Sequence, residues 1–201
     1  MIQSESPSLI LASQSSTRAS LLRAAGLRFQ ARPARVDETE VKASMRREGA
    51  DAEQTALALA GLKATRIRDV DAVVIGSDQL LVCDGVWFDK PADLAAARGQ
   101  LWTLRGRAHT LVTAVVCHRG GQEIWREVAR PLLRMRPFSE RFLDAYLAAE
   151  GEAILASVGA YRLEGLGLHL FEAVEGEYAA ILGLPLLPLL GFLRQHGVLT
   201  A

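Results

Sequence analysis

Charged and hydroxyl side chains stand where apolar runs of this chain give way to polar ones. Ser13 and Arg18 follow the run 9–12, Glu38 follows 29–36, Asp78 follows 72–75, and Lys90 follows a hairpin. Lys63 on a helical stretch and Glu164 in a glycine-flanked segment complete the set. Ligands of open α/β sheets bind outside strand ends, so groups far apart in sequence can converge there. Two carboxylates can hold a hard divalent cation and prepare a water molecule, while lysines and an arginine neutralise phosphate oxygens. Such chemistry suits cleavage of a phosphate ester or anhydride. Taken singly, each of these groups reads equally as a solvated surface charge or a helix cap.

Other chemistries lack their residues. There is neither a Gly-Lys-Ser/Thr phosphate loop nor a fingerprint of three spaced glycines, and Gly165 with Gly167 alone is a weak signal. His109, His118, His169 and His196 lack metal-ligand spacing, and Cys83 and Cys117 sit in apolar strand patterns as small hydrophobes. No nucleophile-elbow turn supports serine hydrolysis. With 23 basic and 23 acidic side chains in 201 residues, no net field draws the chain to nucleic acid or anionic lipid. Any phosphate-bearing ligand must therefore meet a local cluster of charge. The row Arg126, Arg130, Arg134 and Arg136 has the two-residue period of a solvated strand face. Polar residues 1–7 and the interruption of the next apolar run at 13–18 predict neither signal peptide nor membrane span. One cytoplasmic domain over residues 1–201 is the expectation.

The elements that must position these groups alternate. Strand 9–12 leads through a capping loop into helix 18–25, an extended stretch covers 29–36, and an alanine-rich helix covers 52–66. Strand 72–75 ends at Gly76-Ser77-Asp78-Gln79. Asp84-Gly85 then turns a hairpin between 80–82 and 86–88, since both residues tolerate positive φ. Asp93 caps helix 94–104, strands 109–118 and 122–136 follow, and helices 139–150 and 185–196 close the chain. This is an α/β fold with a mixed sheet flanked by helices.

The motif text resembles the Maf family of nucleoside triphosphate pyrophosphatases over nearly the whole chain. Leu9-Ile10-Leu11-Ala12-Ser13 with Arg18 and Leu21-Leu22 looks like the opening loop and helix. Val36-Asp37-Glu38-Thr39, Lys63-Ala64, Ile75-Gly76-Ser77-Asp78-Gln79, Lys90-Pro91, Gly106-Arg107 with His109, and Gly183-Leu184-Pro185 follow in family order. The resemblance implies an inosine-triphosphatase-like fold, a homodimer, a divalent cation such as Mg²⁺ or Mn²⁺, and cleavage between the α and β phosphates. It makes Asp78 the catalytic carboxylate and Glu38, with Asp78, the metal-side acid. Asp37 is expected to point elsewhere along an extended segment. Arg18, Lys63 and Lys90 match phosphate-contacting positions, with Ser13 in the same loop as Arg18.

Base selection is expected from Thr17, Gln79 and Glu164. Gln79 and Glu164 look like the group acting on 7-methyl-GTP, whereas Thr17 stands where that group has tryptophan. The alternatives are a pyrophosphatase for dTTP, UTP or CTP, and a nucleotide-sensing regulator of cell division without turnover. A further departure lies in residues 176–180, where the family commonly carries an asparagine.

Overall fold

A computed structural model of the chain describes residues 2–200. In chain order they form β1 (Leu9–Leu11), α1 (Ser16–Ala24), β2 (Gln30–Ala31), α2 (Glu38–Arg47), α3 (Ala52–Thr65), β3 (Val73–Cys83), β4 (Val86–Phe88) and α4 (Leu94–Leu104). Then come β5 (Ala108–Arg119), β6 (Gln122–Ala129), β7 (Leu132–Met135), α5 (Glu140–Glu150), short 3-10 turns, β8 (Phe171–Glu175), α6 (Tyr178–Ile181) and α7 (Leu186–Gln195). Hydrogen bonds order the sheet β2-β1-β3-β5-β7-β8, with β4 on β3 and β6 on β5. β1 runs parallel to β2 and β3, while the β3–β4, β5–β6, β5–β7 and β7–β8 pairs are antiparallel. The sheet is mixed, as expected.

The chain forms two compact units. One holds the chain up to Asp78, residues 113–129 and the chain from Glu177; the other holds 79–112 and 130–176. In the first, alternation along β1 and β3 sorts side chains to two covered faces. Leu9, Leu11, Val73 and Ile75 pack with Leu22 of α1 and Leu189, Phe192 and Leu193 of α7. Ile10, Ala12 and Val74 pack with Ala64 of α3. That two-sided burial is why these strands read as unbroken apolar runs.

Gly76 belongs to the second of these faces. A Cβ there would lie 2.0 Å from the carbonyl oxygen of Ala60 and 2.9 Å from the amide nitrogen of Ala64, so the α3 backbone rests directly on β3. Gly76→Ala must push the helix off the strand. The expected loss is about 3 kcal/mol, at the upper end for overpacking, read as a lowered urea midpoint at unchanged slope. An unfolding free energy within about 0.5 kcal/mol of the parent would contradict the close approach.

Several elements differ from the sequence reading. β3 is one continuous strand through Asp78, so that carboxylate does not leave the end of its own strand. It lies beyond the end of the neighbouring strand instead, since β1 pairs with β3 only as far as Leu11↔Ile75. The predicted strand 122–136 is two strands, parted at Arg130-Pro131, where proline has no N–H for the ladder. The extended stretch 29–36 keeps only β2 as strand. α2 was not anticipated; Asp37 caps it, accepting the Glu40 N–H at 3.0 Å, and so turns away from Glu38 as a helix cap rather than as the next residue of a strand. The Asp84-Gly85 turn has the positive φ values expected, 50° and 78°.

In the second unit His109 is buried on β5, its Nε2 2.9 Å from the Tyr161 hydroxyl, its ring against Tyr161 and Phe171. Burial pushes the imidazole down to about 4 from its ordinary 6.5. The unfolded chain therefore takes up a proton near pH 6.5 that the native state refuses until about pH 4. Stability is unaffected above that window and falls as pH drops through it, by an amount on the order of 3 kcal/mol. His109→Gln, which keeps a polar group for Tyr161 without titrating, is expected to flatten this limb in urea titrations. An unchanged limb would contradict it.

Candidate active site

The same two alternations that build the first unit assemble its polar cluster. Gly76 and Asp78 are two residues apart on β3 and share the face covered by α3. Ala60, Lys63 and Ala64 share one stripe of α3, since residues three and four apart are neighbours. The backbone contact at Gly76 thus delivers Lys63 to Asp78. The Lys63 ammonium donates to Asp78 Oδ1 at 2.7 Å and pairs with Glu38 Oε1 at 2.6 Å. It also lies 3.5 Å from the Ser77 carbonyl oxygen. Lys63 and Asp78 are buried, whereas Glu38, the first residue of α2, is partly open to solvent. An Asp51–Gln54 capping box fixes the start of α3, and its last turn carries Lys63 where a cation suits the helix dipole.

Ser77 points to the opposite face. Its hydroxyl lies 2.8 Å from the Ala114 carbonyl oxygen and 2.9 Å from that of Gly183, sharing one proton between them. Arg18 closes this side: Nε donates to Gly183 O at 2.7 Å and Nη1 to Ser77 O at 3.0 Å, with Ser13 Oγ at 3.4 Å. Burial lowers the guanidinium pKa, and the nearby Asp78 and Glu38 charges oppose that shift. Arg18 therefore braces β1's loop, β3 and the turn before α7 through Nε and Nη1, leaving Nη2 outside these bonds. A Cβ on Gly183, whose φ is +101°, would lie 3.1 Å from Arg18 Nε. That turn admits a side chain only by moving the arginine.

Ser13 is buried, and its Oγ accepts the Ser15 N–H at 3.1 Å; Ser15 in turn caps α1 by accepting the Arg18 N–H at 3.2 Å. Thr17 lies in the first turn of α1. Within residues 176–180, Glu177 accepts the N–H groups of Leu186 and Leu187 at 3.0 and 2.8 Å and so caps α7. The first unit thus brings together Ser13, Arg18, Glu38, Lys63 and Asp78. Lys90 lies exposed between β4 and α4, Glu164 lies exposed in the loop before β8, and Gln79 follows Asp78 on β3; these three belong to the second unit. Sequence reasoning missed Ser77 and Gly183 as braces and Gly76 as the contact that sets Lys63. The glycine inside an otherwise apolar strand was the available signal for the last.

Asp78 Oδ2 is buried and has no hydrogen-bond partner, an acceptor aimed at nothing the chain supplies. No group of three or more His, Cys, Asp or Glu side chains among the described residues could hold a metal ion. The unpartnered Asp78 Oδ2 and the partly open Glu38 carboxylate are hard oxygen donors, the type that Mg²⁺ takes alongside water and phosphate oxygens. Among the described residues no helix is long and apolar enough to cross a membrane.

Comparison with known proteins identifies the same family as the motif text. The family described as Maf-like protein matches residues 8–196. The chain is 63% identical to a nucleoside triphosphate pyrophosphatase of Granulibacter bethesdensis, over 96% of this chain and 98% of that protein. It is 51% identical to one of Rhodospirillum rubrum, over 97% and 98%. It is 46% identical to a 7-methyl-GTP pyrophosphatase of Rhizobium meliloti, over 97% and 99%.

Proposed function

The chain belongs to the Maf family, and from that membership we propose that it is a nucleoside triphosphate pyrophosphatase that opens the α–β phosphoanhydride, releasing nucleoside monophosphate and pyrophosphate. The observation that supports the chemistry is the Asp78–Lys63–Glu38 clasp beside Arg18, with Asp78 Oδ2 unpartnered. Asp78 orients the attacking water and accepts its proton. Lys63, Lys90 and the Nη2 group of Arg18 meet phosphate oxygens, and Ser13 holds the loop that feeds the α1 N-terminus, whose amides favour an anion. Asp78 and Glu38 would hold a divalent cation, Mg²⁺ or Mn²⁺, which when bound screens phosphate charge and polarises water.

The proposed substrate is 7-methyl-GTP, cleared from the cytoplasmic nucleotide pool. Guanine presents N1–H and its exocyclic amine as adjacent donors that one carboxylate, Glu164, can accept together, with Gln79 as second selector. Methylation at N7 adds positive charge that favours the same anion. Thr17 supports the second reading, a pyrimidine nucleotide substrate, because it removes the stacking surface of tryptophan. Pyrophosphate release with Mg²⁺ or Mn²⁺ across 7-methyl-GTP, GTP, dTTP, UTP, CTP and ITP separates the two. Preference for 7-methyl-GTP is expected; preference for pyrimidines overturns the selectors, and binding without release points to a nucleotide sensor. A homodimer belongs to the same reading and is tested by light scattering.

A further inference from the structure

Glu150 is the last residue of α5, at the negative end of the helix dipole, and its side chain is only 6% exposed. A carboxylate is disfavoured there on both counts. Its oxygens are taken up by one loop: Oε2 pairs with Arg162 Nη1 at 3.3 Å, and Oε1 accepts the Leu166 N–H at 3.0 Å. On its other side, Arg162 Nε lies 3.7 Å from Glu164 Oε1. Glu164 thus sits between the two points at which Glu150 holds the loop.

The loop has no slack. The Gly165 N–H donates to the Arg162 carbonyl at 3.2 Å, and a Cβ on Gly165 would lie 3.0 Å from Glu150 Oε1. A Cβ on Gly167 would lie 2.3 Å from the Arg162 carbonyl oxygen. Arg162 stands between a buried carboxylate and a more exposed one, and the triad keeps one net negative charge.

We infer that Glu150 is a positioning residue that, by holding Arg162 and the Leu166 amide, orients the Glu164 carboxylate for base recognition. This rests on the proposed reading of Glu164 as a base selector. Glu150 draws on Arg162 and so keeps the guanidinium from closing fully over Glu164, while the loop bonds fix where that carboxylate stands before a base arrives. A base with two adjacent N–H donors, or with a positive ring, gains most.

The test measures kcat and KM for 7-methyl-GTP and UTP in the parent, Glu150→Gln, Arg162→Met, the double variant and Glu164→Gln. Glu150→Gln keeps an acceptor for Leu166 but frees Arg162 to cover Glu164. Its ratio of kcat/KM for 7-methyl-GTP over UTP is expected to fall about tenfold, through KM for 7-methyl-GTP. Arg162→Met, at a partly exposed side chain, carries the test if Glu150→Gln does not fold; its ratio falls too, by a different route, because Glu164 loses the guanidinium 3.7 Å away that holds it in place. The double variant falls no further than the worse single, since both act on one clasp. Parental ratios in the Glu150 and Arg162 variants, with a collapsed ratio in Glu164→Gln, overturn this inference alone. A parental ratio in Glu164→Gln overturns the selector reading and the inference with it.

Discussion

Asp78→Asn is expected to lower kcat by about 10³-fold, within the range that general acid–base groups supply, while the protein folds and binds nucleotide. The substitution keeps the shape of the side chain and an oxygen that can accept from the Lys63 ammonium now 2.7 Å away. What it removes is the charge and the second carboxylate oxygen, the one with no partner in the protein. An amide there neither takes a proton from water nor offers an anion to a cation. Single-turnover assays separate the chemical step from binding, and activity within tenfold of the parent would take Asp78 out of the catalytic role.

Lys63→Met is expected to damage both activity and stability. Lys63 is the cation shared by Asp78 and Glu38, and on the Asp78 side both partners are buried. Removing one member of a buried pair leaves an uncompensated charge and costs about 3–5 kcal/mol. Losing a preorganised donor to the phosphates lowers kcat/KM by about 10²–10³. Adding Asp78→Asn removes the stranded charge, so the double variant should regain stability over Lys63→Met and regain no turnover. If the double variant is the less stable, the ammonium is not compensating Asp78.

The sequence displayed the fold through two-sided burial. Residues 9–12 and 72–75 read as strands because both their faces are covered, and the Asp93 cap marked a helix, 94–104, that the structure contains. α2 was hidden because none of its residues is buried, so no apolar stripe announces it. The two units were hidden because β3 and β5 contribute to both, and no change of composition marks a point where a strand passes from one to the other.

For the site, the identities of Asp78, Lys63 and Glu38 were legible through family motifs, but the reason they meet was not. It is a backbone contact at Gly76, whose one trace in the sequence is a glycine standing inside an apolar strand. Arg18 shows the opposite difficulty. The motif text singled it out for its charge, yet its two bonds to carbonyl oxygens make it a brace, and carbonyl acceptors leave no trace in residue type.

Cleavage at the α–β anhydride is read from the products formed from 7-methyl-GTP with Mg²⁺, separated and quantified by ion-exchange chromatography. 7-methyl-GMP and pyrophosphate are expected in equal amounts, lost together in Asp78→Asn. 7-methyl-GDP with inorganic phosphate, or an unchanged product yield in that variant, would contradict this expectation.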